Sequence, residues 1–159
     1  MAQVGFEEYC AARGKALLRL AHALTGNVPD AEDLLQTALL KCYRRWSHVD
    51  EPDAYVRTVL VRAYAGRRHR PERPMAQLPE TAAPAGHDME GRDEVLRMLA
   101  LLGPRQRAIL VMRYLLDLSD AAIAAELGVT QSTVRTQAFR ALATLRTART
   151  HTPTPGSAP

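Results

Sequence analysis

Apolar residues recur at helical rather than strand spacing through most of the chain, and the pattern is interrupted twice. In the first block Leu17, Leu20, Ala21 and Leu24 mark one face of a helix over Phe6 to Leu24, and Gly26 with Asn27 ends it. Asp30 is expected to cap a second helix, Ala31 to Trp46. Its acidic residues Asp30, Glu32 and Asp33 lie at the positive end, and Lys41, Arg44 and Arg45 lie at the negative end. The segment Ser47 to Asp53 breaks the pattern. A third helix is predicted from Ala54 to Arg68, with Tyr55, Val56, Val59, Leu60 and Ala63 on its apolar side.

Residues 71–92 carry Pro71, Pro74, Pro79 and Pro84 with Gly86 and Gly91. Proline removes a backbone donor and clashes with the preceding turn, so this stretch reads as a flexible linker. Helical spacing returns over 93–149. Asp93 to Leu102 forms one helix, closed by Gly103-Pro104, and Pro104 to Leu115 forms the next. Ser119 is the expected N-cap of a short helix ending at Leu127, and Thr130 caps a longer one from Gln131 to about Arg149. The Thr, Pro, Gly and Ser-rich tail, 150–159, is expected to be disordered. The fold class is therefore all-α, with two small helical domains, 1–70 and 93–149, on a tether.

The stretch Ser119 to Leu142 has the order short helix, tight turn, long helix. Gly128 supplies the positive φ of the turn, with Val129 turned inward beside it. Ile123 and Leu127 are expected to face Val134, Ala138 and Leu142, and Ala124 allows close crossing. This is a helix-turn-helix pattern, whose second helix lies in a DNA major groove. With Val134, Ala138, Ala141 and Leu142 inward, the opposite side shows Ser132, Thr133, Thr136, Phe139 and Arg140, flanked by Arg135 and Gln137. Arg can read guanine edges and Gln adenine.

Charge sharpens this picture. The 159 residues carry a net +4, and Lys15 and Lys41 are the two lysines among 21 basic residues. Arginine's planar fork matches phosphates and base edges. No acidic residue occurs from Ala54 to Arg70, which holds Arg57, Arg62, Arg67, Arg68 and Arg70. None follows Leu127, where Arg135, Arg140, Arg146 and Arg149 occur. Both are footprints suited to a phosphate backbone. The bland alternative is an α-helical hairpin with a solvated basic face.

No signal peptide opens the chain, and no apolar run approaches the ~18 residues of a membrane span, so a cytoplasmic, reduced setting is expected, with no membrane partner. Cys10 and Cys42 read as small apolar residues rather than a redox pair. The five histidines have no ligand spacing with each other or the cysteines, and no phosphate loop or nucleophile motif occurs. No metal, cofactor or enzymatic activity is expected.

Leu102 to Leu145, LGPRQRAILVMRYLLDLSDAAIAAELGVTQSTVRTQAFRALATL, resembles region four of the extracytoplasmic-function (ECF) sigma factors, group 4 of the sigma-70 superfamily. Asp30 to Trp46, DAEDLLQTALLKCYRRW, resembles region two of the same family. The wording of TGNVPDAEDLLQTAL and EPDAYVRTVLVR is similar to its SigE-like actinomycete subgroup. The resemblance implies a factor that binds core RNA polymerase, at the β' clamp helices and the β flap, and directs initiation at promoter DNA. It implies polymerase docking by Asp33, Leu34, Gln36, Thr37, Leu40, Lys41 and Arg44. It implies capture of the −10 element by the loop Ser47 to Asp53 and by His48, Tyr55, Arg57, Arg62, Arg67 and Arg68. It implies reading of the −35 duplex by Arg135, Thr136, Phe139 and Arg140, to which the exposed side of the helix adds Ser132 and Gln137. Two positions depart from the family pattern: Arg62 stands where many members have Asn, and Tyr55 stands where a Trp is common. In many members an anti-sigma protein wedges between the two domains, which a flexible linker permits.

Two other functions compete at this point. A stand-alone helix-turn-helix regulator would bind duplex DNA without polymerase. An enzyme acting on nucleic acid would need a catalytic constellation that the sequence does not display.

Overall fold

The computed structural model describes residues 4–66 and 89–151, and every described regular element is helical. Arg67, Arg68, the linker from 71 to 88 and the tail from 152 lie outside the described residues. The chain divides into two compact units.

The first unit holds α1 (Phe6–Thr25), α2 (Val28–Arg44) and α3 (Pro52–Ala65). Helix α1 ends where Gly26 turns to φ 80°, a left-handed cap that glycine adopts without steric cost. The cap of α2 is Asn27, three residues ahead of the expected Asp30. Asn27 accepts from the Asp30 amide at 2.9 Å, and Pro29 occupies the first turn, where its missing N–H leaves no bond unmade. Helix α2 closes at Arg44 rather than Trp46, and a 3-10 turn, Trp46–His48, follows. Helix α3 starts at Pro52, inside the expected loop, because proline pre-sets the first helical φ.

Leu17, Leu20, Ala21 and Leu24 of α1 pack with Ala31, Leu34, Leu35, Ala38 and Cys42 of α2 and with Val56, Leu60, Val61 and Tyr64 of α3. Two polar or aromatic devices close the open end of this core. Phe6 meets Tyr43 and Trp46 at centroid distances of 5.0 and 5.3 Å, and Tyr9 meets Trp46 at 5.3 Å. The Tyr9 hydroxyl donates to Asp53 Oδ1 at 2.8 Å, and Arg13 Nε lies 3.0 Å from the same carboxylate. Asp53 thus ties the start of α3 to α1.

The second unit holds α4 (Met89–Leu99), α5 (Pro104–Leu110), α6 (Asp120–Leu127) and α7 (Gln131–Thr150). Helix α4 begins four residues before the expected Asp93. Helix α7 takes in Thr150, which was expected in the tail. After Leu110 the chain widens into a π turn, Val111–Leu115, where the Leu116 amide reaches back to the Val111 carbonyl at 3.2 Å. Asp117, at φ 52°, then reverses the chain in a conformation that Asp tolerates better than most residues. Ser119 caps α6 by accepting from the Ala122 amide, and Thr130 caps α7 by accepting from the Thr133 amide, as expected. Gly128 between them has φ 66°. Ile109, Met112, Ile123, Ala124, Val134, Ala138 and Ala141 form the centre of this core. Leu127, Val129 and Leu142 sit half-buried at its rim.

Candidate nucleic-acid and polymerase interface

Helix α2 is amphipathic, and its outer face is continuous. Asp33, Gln36, Thr37, Leu40, Lys41 and Arg44 are all exposed and recur at intervals of one, three or four residues. Leu40 is half exposed on this face. Leu34 does not belong to this face. It is 3 % exposed, in the core stripe with Leu35 and Ala38, so its expected docking role fails on helix phase.

Where α2 ends, the chain turns beside α3 and leaves an open groove of about 1160 Å³. Lys41, Arg44, Arg45, His48, Tyr55 and Arg62 line it, with Asp50 and Glu51 on the loop side. Three of the expected −10 residues, His48, Tyr55 and Arg62, therefore share one cavity. Arg57 is on a different side of α3 and does not line it. Its Nε is buried with no hydrogen-bond acceptor among the described residues. Arg45 and Thr58 line the groove and were missed in the sequence. The Arg44–Arg45 pair was a usable signal for the first, since the end of a helix splays adjacent side chains. The cations outnumber the carboxylates here, so the groove favours an anionic guest, and the Tyr55 ring offers a stacking surface.

In the second unit, α7 packs Val134, Ala138 and Ala141 inward and leaves Ser132, Arg135, Thr136, Phe139 and Arg140 exposed. Phe139 is 70 % exposed, an arrangement that gains nothing in water and suits contact with an apolar group of a partner, such as a thymine methyl. Gln137 is turned partly inward. Its Oε1 accepts from Gln106 Nε2 at 3.1 Å, so its amide is engaged within the unit. Arg135 lies 3.8 Å from Asp120, and Arg113 lies 2.9 Å from the same carboxylate. Arg140, Arg146 and Arg149 form no ion pair among the described residues.

Cys42 is buried and Cys10 is half-buried; both are free thiols whose pKa burial pushes up. Among the described residues, no group of three His, Cys, Asp or Glu side chains could hold a metal ion. No described helix is long and apolar enough to cross a membrane.

Two family models match the chain: sigma-70 region 2 over residues 11–72, and sigma-70 region 4 over residues 92–145. The chain is 38 % identical over 148 residues to the RNA polymerase sigma-E factor of Streptomyces coelicolor, covering 89 % of this chain and 84 % of that one. It is 37 % identical over 149 residues to the protein of the same name from Streptomyces antibioticus, with 89 % and 82 % covered. The fold is similar to the sigma factor RpoE, solved in complex with the anti-sigma factor NepR from Bartonella quintana. That match has a TM-score of 0.62 at 19 % identity, over 93 % of this chain and 98 % of the other. It is also similar to CnrH in complex with the cytosolic domain of CnrY, with a TM-score of 0.61 at 20 % identity, over 93 % and 89 %. Two region-specific modules in sequence order, and relatives matched along most of both lengths, place this chain in the sigma-70 family of RNA polymerase sigma factors, within its ECF branch.

Proposed function

We propose that this chain docks on core RNA polymerase through the outer face of α2 and carries the enzyme to promoters, gripping two separate stretches of DNA. The basic groove between α2 and α3 takes the single-stranded −10 element. Arg45 and Arg62 hold its backbone, and Tyr55 stacks against a base turned out of the helix. The Arg67 and Arg68 positions continue the same basic run in the sequence. Helix α7 enters the major groove of the −35 duplex with Arg135, Thr136, Phe139 and Arg140 toward base edges and Ser132 near the backbone. Arg146 and Arg149 extend its positive face.

One observation carries the reading. A groove ringed by four cations borders the exposed α2 face in one unit, and a long helix carries the exposed Arg135, Arg140, Arg146 and Arg149 in the other. A single DNA-binding unit would need the second but not the first. The factor works as a specificity subunit in the cytoplasm, not as an enzyme, and Leu40 and Tyr43 leave apolar area for a protein partner. One structural neighbour, RpoE, was solved with the anti-sigma factor NepR, which supports an inhibitor of that kind here.

The test is run-off transcription. Purified chain added to core polymerase should give transcripts from defined start sites on promoter DNA, and Leu40→Asp should abolish them while leaving the helical content intact. Defined transcripts that persist with Leu40→Asp would remove the docking assignment. A protein that binds duplex DNA but never starts RNA synthesis would be a stand-alone regulator.

A further inference from the structure

Asp120 stands at the start of α6, beside the face of α7 that meets DNA in the reading above. A carboxylate near phosphates is unfavourable on Coulomb grounds alone. Its surroundings give it a task. Arg113, held in the π turn, donates through Nη2 to Asp120 Oδ2 at 3.1 Å and lies 2.9 Å from Oδ1 as an ion pair. The same carboxylate lies 3.8 Å from Arg135 Nε. Arg135 Nη2 in turn donates to Gln131 Oε1 at 3.5 Å. Asp120 keeps only 22 % of its side-chain exposure, while Arg135 keeps 63 %. The scaffold thus fixes Arg113, Arg113 fixes Asp120, and Asp120 with Gln131 steadies the base of a guanidinium whose far edge remains open.

We propose that Asp120 is a specificity-determining positioning residue: it presents the Arg135 guanidinium to duplex base edges in one orientation. A long arginine loses rotamer freedom on docking, and one already held loses less, so the carboxylate strengthens the readout although its own charge opposes the phosphates. The inference rests on the assignment of α7 as the duplex reader. It makes a prediction opposite in sign to simple charge. Removing an exposed carboxylate from a DNA-binding surface ordinarily raises affinity for every sequence. Removing this one lowers affinity for the preferred site.

The experiment uses holoenzyme made with the full chain. The preferred −35 sequence is first selected from a randomised promoter library. Mobility-shift titrations then compare wild type, Asp120→Ala, Arg135→Ala and the double variant on that site, on each single base-pair change, and on scrambled −35 DNA. Asp120→Ala is expected to weaken the preferred site by about three- to tenfold, part of what one good bidentate contact is worth. It should flatten discrimination at the base pair that Arg135→Ala flattens. Scrambled DNA should bind equally well or better, and the double variant should lose no more discrimination than Arg135→Ala alone. Uniformly tighter binding to all sequences, or a loss in the double variant equal to the sum of the two, would overturn the inference. If Arg135→Ala itself leaves discrimination unchanged, the assignment of α7 falls and this inference falls with it. An effect of Arg135→Ala with a silent Asp120→Ala overturns the inference alone. Should Asp120→Ala unfold the second unit at assay temperature, Asp120→Asn, which keeps one acceptor for Arg113, is held to the same criteria.

Discussion

Leu34 and Leu40 show how one helix places one leucine in the core and another at the surface. Both are leucines of α2, six residues apart, yet one is 3 % exposed and the other 50 %. Leu34→Ala should cost about 2–5 kcal/mol of stability through the lost transfer energy and the cavity left behind. Leu40→Ala should change stability by no more than ~0.5 kcal/mol and weaken polymerase binding instead. Denaturant titrations and a polymerase-binding titration, run on both variants, separate the two effects, and a Leu34 variant as stable as wild type would contradict the packing.

Arg140→Ala should weaken −35 binding by about 1–3 kcal/mol and relax base choice. Gln137→Ala should instead act mainly through the lost Gln106 contact, and a mobility-shift series over single base changes tells them apart. Tyr9 adds a pH signature. Burial first, and then the bond to Asp53 with its nearby charge, raise the Tyr9 pKa well above the ordinary tyrosine value, and burial raises that of Cys42. The folded state therefore holds these protons more tightly than the unfolded one. Their contribution to stability is complete below the ordinary values, roughly 9 for the thiol and 10 for the phenol, and is lost as pH climbs beyond them. Denaturation midpoints should be level near neutrality and fall above about pH 9, and Tyr9→Phe should flatten the part above pH 10. An equally steep fall in Tyr9→Phe would remove the phenol from the account.

At the scale of elements, what was legible in the sequence followed what depends on near neighbours. The caps Ser119 and Thr130, the left-handed glycines Gly26 and Gly128, and the buried α7 stripe of Val134, Ala138 and Ala141 were all readable, because each is set by spacing and turn chemistry. The α2 cap was misplaced because Asn27 and Asp30 are both good capping residues, and Pro29 between them decides for the earlier one. The π turn left no trace in the sequence, whose apolar pattern reads as one continuous helix from Pro104 to Leu115. The site was less legible than the helices. Family position placed Leu34 and Arg57 with residues they do not adjoin, and periodicity put Gln137 beside the outer face, because none of these could be phased without the packing of the other helices. Gly128→Ala tests the turn. A Cβ there meets no atom within 4 Å, so the penalty is conformational, about 1–2 kcal/mol, and thermal melting should show it while Gly103→Ala, at negative φ, should be milder.

For the whole molecule, the proposed grip of two basic units on DNA implies a steep dependence on salt. Every phosphate neutralised releases counterions, so the logarithm of affinity falls linearly with that of salt. Arg146→Ala is expected to reduce that slope by about 1, with little change in sequence preference. A slope equal to that of wild type would place Arg146 away from the backbone.

The aromatic contacts around Trp46 have a practical consequence. The sequence holds one tryptophan, and it lies in the first unit, against Phe6 and Tyr9, two residues ahead of His48 in the groove. Its intrinsic fluorescence is therefore a built-in optical probe of that unit alone. Emission excited at the red edge of indole absorption will follow melting of the first unit, or the arrival of a nucleobase beside it, without any attached dye. The second unit, whose described aromatics are Tyr114 and Phe139, stays dark in the same measurement.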